Sequence, residues 1–212
     1  MPRPKVISQS EFPYNISARS INREWFQIPM PEVWQIFSEE LTRVHAVRAL
    51  QIHSFVLMSN HFHLIASTPE ANISECMHQF MQRSSKRLTT AGNRINQTFA
   101  GRHYKCILQQ NQFFLNAYKY NYRNPVAAGL CQKVQEYPYS SLQILLNQSK
   151  AKFPLVRDET FLSDPEATLN WLNTPPDPEK LEAVRYGLKH QFFKSKKDLH
   201  IRNKILQDRE TL

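Results

Sequence analysis

Apolar positions along the first 145 residues switch between two periods. Phe12 to Arg19 (FPYNISAR) alternates large apolar with small polar side chains, the signature of a half-buried strand. From Pro31 and Glu32 the period lengthens. Val33, Phe37, Leu41 and Val44 recur at helical spacing behind a proline, a residue favoured at helix starts. Ile52 to Met58 and His61 to Ser67 read as two apolar strands parted by Ser59-Asn60, a break short enough for a tight hairpin. Asn72 to Ala91 sets Ile73, Met77, Phe80, Met81 and Leu88 on one helical face and Arg83, Lys86 and Arg87 on the other. Tyr104 to Leu108 is a fourth strand. Phe113 to Arg123 is a helix expected to stop there, because Pro125 disfavours α geometry at Asn124. Glu179 to Asp208 reads as one or two basic helices.

The order β-α-β-β-α-β-α opens with the split β-α-β arrangement of ferredoxin-like sheets. The expected fold class is therefore α+β: a ferredoxin-like split β-α-β sheet with a helical C-terminal extension. No repeat or low-complexity run interrupts it. Five of the thirteen prolines (Pro154, Pro165, Pro175, Pro176 and Pro178) fall in one stretch, and proline clusters punctuate structure. This divides the chain into a sheet domain over 1–147, an acidic, Pro-rich connection over 148–178 with one short helical piece, and a basic helical extension over 179–212.

Composition narrows the classes. With 41% hydrophobic and 11% aromatic residues in 212, the chain can bury a core and is not globally disordered. Four glycines exclude collagen-like and dinucleotide-fingerprint readings. No apolar run reaches the ~18 residues of a membrane span, and Met1 to Phe12 lacks the apolar core of a secretory signal. Cys76, Cys106 and Cys131 fit neither a disulfide framework nor a C-x-x-C zinc site, so a reduced cytosolic protein with buried thiols is expected. The net charge of +9 suits nucleic acid. It is uneven: residues 71–110 carry +5, 111–150 carry +3 and 179–212 carry +4, whereas 151–178 carry −3.

The chemistry concentrates at two places. His61 and His63 flank Phe62 on one strand, so period-two alternation points both imidazoles to the same side. Such a pair is either a partial metal chelate, completed by carboxylate, amide or water, or two sheet-face histidines. On the helix after the fourth strand, Asn116, Tyr120 and Asn124 share a face at i, i+4 and i+8. A phenol beside an amide there can act as nucleophile and supporting ligand, or simply pack. Tyr118 and Tyr122 are assigned to packing.

These residues resemble a known family. HFHLI is similar to the His-hydrophobe-His motif of HUH endonucleases. Six stretches in order resemble REP-associated tyrosine transposases, relatives of the single-strand insertion-sequence transposases: Met1-Pro2-Arg3-Pro4, SARSINR (Ser17 to Arg23), VLMSNHFHLI (Val56 to Ile65), Gly101-Arg102, YNYRNPVAAGL (Tyr120 to Leu130) and YPYSS (Tyr137 to Ser141). They span about residues 1–145. The departures are Ser59 where the family has Pro, Ala127 where it has Arg and Tyr139 where it has Trp; the loss at Ala127 removes a potential phosphate contact.

The resemblance implies that residues 1–147 form a HUH nuclease domain, that His61, His63 and Asn124 hold a divalent ion, magnesium or manganese, and that Tyr120 attacks a phosphodiester of single-stranded DNA to leave a 5′-phosphotyrosine and a free 3′-OH. Imidazole is not magnesium's preferred ligand, which points to weak metal binding completed by substrate phosphate. The implied partner is single-stranded or hairpin DNA near REP-type palindromes. Contacts are expected from Arg19, Arg23, Arg83, Lys86, Arg87, Arg94, Arg102 and Lys105. A C-terminal clamp of Lys194, Lys196, Lys197, Arg202 and Lys204 would complete them. His103 and Tyr104 either stack bases or serve the core. A single-chain enzyme is expected, with a dimer as the alternative, in the cytoplasm on the nucleoid. The competing readings are a domesticated hairpin-binding protein without strand transfer and a replication-initiator-type nickase.

Overall fold

The structure is a computed structural model that describes residues 7–95, 97–149, 153–194 and 211–212. Its elements are β1 (Tyr14–Arg19), α1 (Met30–Arg48), β2 (Gln51–Leu57), β3 (His61–Ser67), α2 (Ile73–Ala91), β4 (Tyr104–Ile107) and α3 (Asn111–Ala127). Four helices follow: α4 (Leu142–Leu145), α5 (Glu159–Ser163), α6 (Pro165–Asn173) and α7 (Pro178–Gly187). The sheet is antiparallel throughout, in the order β2-β3-β1-β4. Each β-α-β crossover thus skips one strand, which is the ferredoxin-like arrangement expected from the sequence.

Alternation sorts the strands into two faces, each with its own core. Tyr14, Ile16, Phe62, Leu64, Phe55 and Leu57 pack beneath α1 and α2, around Phe37 and Phe80. Ring centroids from Phe37 to Phe55, Phe62 and Phe80 lie 5.4 to 6.1 Å apart. Val56, Ile65 and Cys106 face the other way, beneath α3, α6 and α7. A register shift between Ile52 and Ser54 lets Ile52 and Phe55, three residues apart, reach the same core.

Two expectations change. Helix α3 does not stop at Arg123 but runs to Ala127 with Pro125 buried inside it. The proline sits in the last turn, so it removes only the hydrogen bond owed to the Asn121 carbonyl. Beyond it Ala128 N–H bonds the Asn124 carbonyl, and Gly129, at φ +71°, ends the helix in the left-handed region. The segment read as a connection with one short helical piece holds two helices, α5 and α6. Asp158 and Asp164 cap them, accepting from the N–H groups of Phe161 and Ala167. Phe153 is buried against the α1–α2 core, and Phe161 and Leu172 in the core beneath α3. The prolines punctuate short helices rather than a spacer. Within 179–212 the described helix is α7, which starts at Pro178.

All three cysteines are free thiols, with Cys76 and Cys106 buried. Among the described residues no helix is long and apolar enough to cross a membrane.

Candidate functional site

His61 and His63 sit on β3, an interior strand hydrogen-bonded on both sides, which fixes their direction. His63 lies opposite Ser17 of β1 and Val56 of β2, and His61 opposite Arg19. Both rings therefore project from the α3 face, 5.1 Å apart between centroids. The His63 side chain is 8% exposed. Burial holds it neutral, with a pKa near 3, aided by His61 and the Arg19 charge. His61 is likewise lowered to about 4, chiefly by burial and then by Arg19. At neutral pH both rings keep a lone pair. Asn60 Oδ1 lies 2.7 Å from His61 Nδ1, so it accepts the Nδ1 proton and leaves Nε2 as the free electron pair. His63 Nδ1 is buried with no partner among the described residues.

Tyr120 faces this pair. Phe113, Ala117 and Tyr118 anchor α3 in the core below the sheet. The next turn carries Tyr120 to the surface edge, half-buried, with its ring 5.8 Å from His63 and near-perpendicular to it. The three side chains line one cavity of about 760 Å³, together with Asn15, Ser17, Arg19, Arg23, Tyr104, Lys105, Arg185 and Lys189 among others. Among the described residues the lining contains no carboxylate. None of Arg19, Arg23, Lys105, Arg185 and Lys189 makes an ion pair among the described residues. Arg23 is presented by two successive left-handed residues, Asn22 (φ 53°) and Arg23 (φ 59°). Such backbone is costly outside glycine. Asn60 Nδ2 donates to the Arg23 carbonyl at 2.8 Å, and the Ser20 hydroxyl donates to that of Glu24, holding the loop.

The other tyrosines of α3 are structural. The Tyr118 hydroxyl donates to Asp158 at 2.6 Å and that of Tyr122 lies 2.7 Å from Ser141 Oγ. Both are buried, and desolvation raises both phenols far above the ordinary value.

The remaining expected site residues scatter. Asn124 lies one turn beyond Tyr120, and its Nδ2 donates to the Tyr120 carbonyl at 2.9 Å. It is not among the residues lining the cavity. Asn116, on the same stripe, accepts the backbone N–H of Leu212 at 2.7 Å. The Leu212 carbonyl in turn accepts from Lys119 Nζ and Trp171 Nε1. Arg83, Lys86 and Arg87 lie across the sheet from the imidazoles, in a separate depression with Glu32 and Gln35. Arg83 and Arg87 are tied to Glu40 at 2.8 and 3.1 Å, and Arg87 also to Glu39 at 2.6 Å. Arg94 pairs with Glu24 at 2.9 Å. Arg102 and His103 line another groove. Lys194 is exposed and outside the cavity, while Lys196, Lys197, Arg202 and Lys204 lie outside the described residues.

Sequence reasoning missed Arg185 and Lys189 of the α7 region. Their i, i+4 spacing, with Leu188 between, places both on one helical face, and that signal was available. Asn15 and Ser17 had no such signal; only the strand register brings them beside His63.

Two imidazoles of this kind could hold part of the shell of a divalent ion: both are neutral, one has its tautomer fixed, and the other has an orphaned nitrogen. Among the described residues no cluster of three or more His, Cys, Asp or Glu side chains surrounds them.

Comparison with known proteins follows the same lines. The model of the family described as IS200-like transposase matches residues 15–121, just over half of the chain. Among solved structures the chain is similar to a REP-associated tyrosine transposase bound to a REP hairpin. The TM-score is 0.60 at 17% identity, over 73% of this chain and 89% of that one. At that identity the likeness shows the fold alone. A proposed transposase from Deinococcus radiodurans R1 matches over 70% of this chain and 97% of that one, at 15% identity and a TM-score of 0.38, too loose to bear on the fold. No curated protein matches the sequence.

Proposed function

The chain belongs to the IS200-like transposase family, and we propose that it is a DNA strand transferase of the REP-associated kind, cutting single-stranded DNA near a hairpin with Tyr120 as nucleophile. The observation that carries this reading is the Tyr120 ring 5.8 Å from His63 across a cavity lined, among the described residues, by cations and no carboxylate. A polyanion is the substrate such a lining accepts.

Arg19, Arg23, Arg185 and Lys189 hold the backbone phosphates and offset their charge, positioning the strand. Tyr120 Oη attacks the phosphorus in line. The new P–O bond to tyrosine forms as the bond to the 3′ oxygen breaks; the phenol proton passes to solvent and the 3′ oxygen leaves as a hydroxyl. The 5′-phosphotyrosine retains the ester, so attack by a second 3′-OH rejoins DNA without a nucleotide cofactor. A divalent ion, magnesium or manganese, would be held by His61 and His63, with Asn124 or the substrate as third ligand. When bound it polarises the scissile phosphate. Low imidazole pKa values keep both ligands unprotonated well below neutrality. Nucleophile and imidazoles come from one chain, which supports action as a single subunit.

The test uses a labelled oligonucleotide hairpin with an unpaired flank, manganese and a denaturing gel. Wild type should give a covalent protein–DNA band. Tyr120→Phe should abolish it, by at least about 10³-fold, while native-gel binding stays within twofold. His61→Ala should remove cleavage and metal dependence together. A Tyr120→Phe protein that still cleaves removes the nucleophile assignment. Retardation without any covalent product in wild type replaces the enzyme with a hairpin binder.

A further inference from the structure

A second groove shares the electrostatic character of the Tyr120 cavity. It measures about 740 Å³ and lies between α2 and residues 97–105. Its polar lining comes from His78, Gln82, Gln97, Arg102, His103 and Lys105 over a floor of Met77, Met81 and Phe99. Among the described residues, neither cavity has a carboxylate in its lining. Three other depressions each have one or more: Glu32, the pair Asp158 and Glu159, and Glu75. Arg102, like Lys105, makes no ion pair among the described residues.

The two acid-free cavities stand back to back, parted by one segment of chain. Residues 98–100 are zipped to the end of β1: Ile21 N–H donates to the Thr98 carbonyl at 2.9 Å and Ala100 N–H to that of Arg19 at 3.0 Å. The chain then enters β4, at the end of the sheet. Ala100 and Tyr104 line the Tyr120 cavity, Phe99, Gly101, Arg102 and His103 line the groove, and Lys105 lines both. Gln191 and Phe193 cover the outer edge of β4 at Ile107. Tyr104, three residues earlier, is 74% exposed. A flat aromatic on the rim, a shared lysine and amides beyond are the parts of a track for unpaired nucleotides: stacking on the ring, cations for phosphates and amides for base edges.

We infer that the α2–β4 groove holds the unpaired DNA strand that continues from the scissile phosphate, crossing the sheet edge over Tyr104 and Lys105. This rests on the strand-transfer reading of the Tyr120 cavity and adds the course of its substrate. Gln82 and Arg102 are both exposed, so their removal tests the groove without disturbing the core.

The full chain is titrated by fluorescence anisotropy with three DNAs: a hairpin cut flush, and the same hairpin with a single-stranded extension at its 5′ or its 3′ end. The Gln82→Ala/Arg102→Ala double variant should lose about tenfold in affinity for one extended hairpin and less than twofold for the flush one. Equal loss on all three probes, or no loss on any, overturns the groove assignment. The covalent gel assay on wild type is run alongside. If wild type forms the Tyr120 adduct and the variant still binds every probe normally, the groove alone falls. If wild type forms no adduct, the strand-transfer reading falls, and the inference with it.

Discussion

Two basic regions of the molecule differ in what their charges are doing. On α2, Arg83 and Arg87 converge on Glu40, a carboxylate only 1% exposed, and Arg87 reaches Glu39 as well. Around Tyr120, Arg19, Arg23, Arg185 and Lys189 meet no carboxylate among the described residues. The first set is occupied in holding α1 to α2, because a buried carboxylate left without partners is costly. The second is free for an external polyanion. Positive charge in a sequence thus marks a nucleic-acid surface only where folding leaves it without an internal counter-charge.

That contrast can be broken by substitution. Replacing Arg19 and Arg185 together by alanine should weaken DNA binding by about ten- to a hundredfold at low salt and lower the slope of log affinity against log salt by about one per cation removed; anisotropy over a salt series reads both. If the slope does not change, these side chains are not at phosphates. Arg83→Ala should do the reverse. It should cost about 1–3 kcal/mol of stability, since Glu40 loses one of its hydrogen-bonded partners, and leave DNA affinity within twofold. Thermal melts beside the same titration decide this, and a large drop in affinity would return the Arg83–Arg87 face of α2 to the DNA surface.

Acidification separates buried histidines from the α1–α2 ion pairs more gently. His53 and His103 are held neutral by burial, with pKa values lowered to about 4. The unfolded chain takes up protons at these rings from about pH 6.5, so their contribution to stability is full above that pH and lost as pH falls toward 4. The Glu39 carboxyl is also lowered, first by its hydrogen bond from Gln35 and then by that from Arg87, but from a starting value that is already acidic. Its contribution is present above about pH 4.5 and fades only below it. Melting temperature should therefore begin to fall between pH 6.5 and 5 while the α1–α2 ion pairs remain intact. His103→Gln should shrink that early loss and Glu39→Gln should not.

Much of this was legible in the chain. The two periods gave seven elements in order, because alternation on a strand and the 3.6-residue repeat on a helix are local properties. The same alternation put His61 and His63 on one side. Pro125 misled, since the rule against helix before proline is a local preference. Here burial of Tyr122 and Pro125 in the core beneath α3 outweighs one lost hydrogen bond. The acidic stretch misled likewise: Pro165 and Pro178 start helices, and Phe161 and Leu172 commit α5 and α6 to the core.

What local pattern determined, then, was the sheet, its helices and the direction of two imidazoles. Packing alone decided how near the Tyr120 ring comes to His63, that Asn116 turns away to Leu212, and that the α2 arginines are spent on Glu39 and Glu40. Partners of this kind lie tens of residues apart in sequence, and only the docking of whole elements sets which charges and hydroxyls end up facing one another.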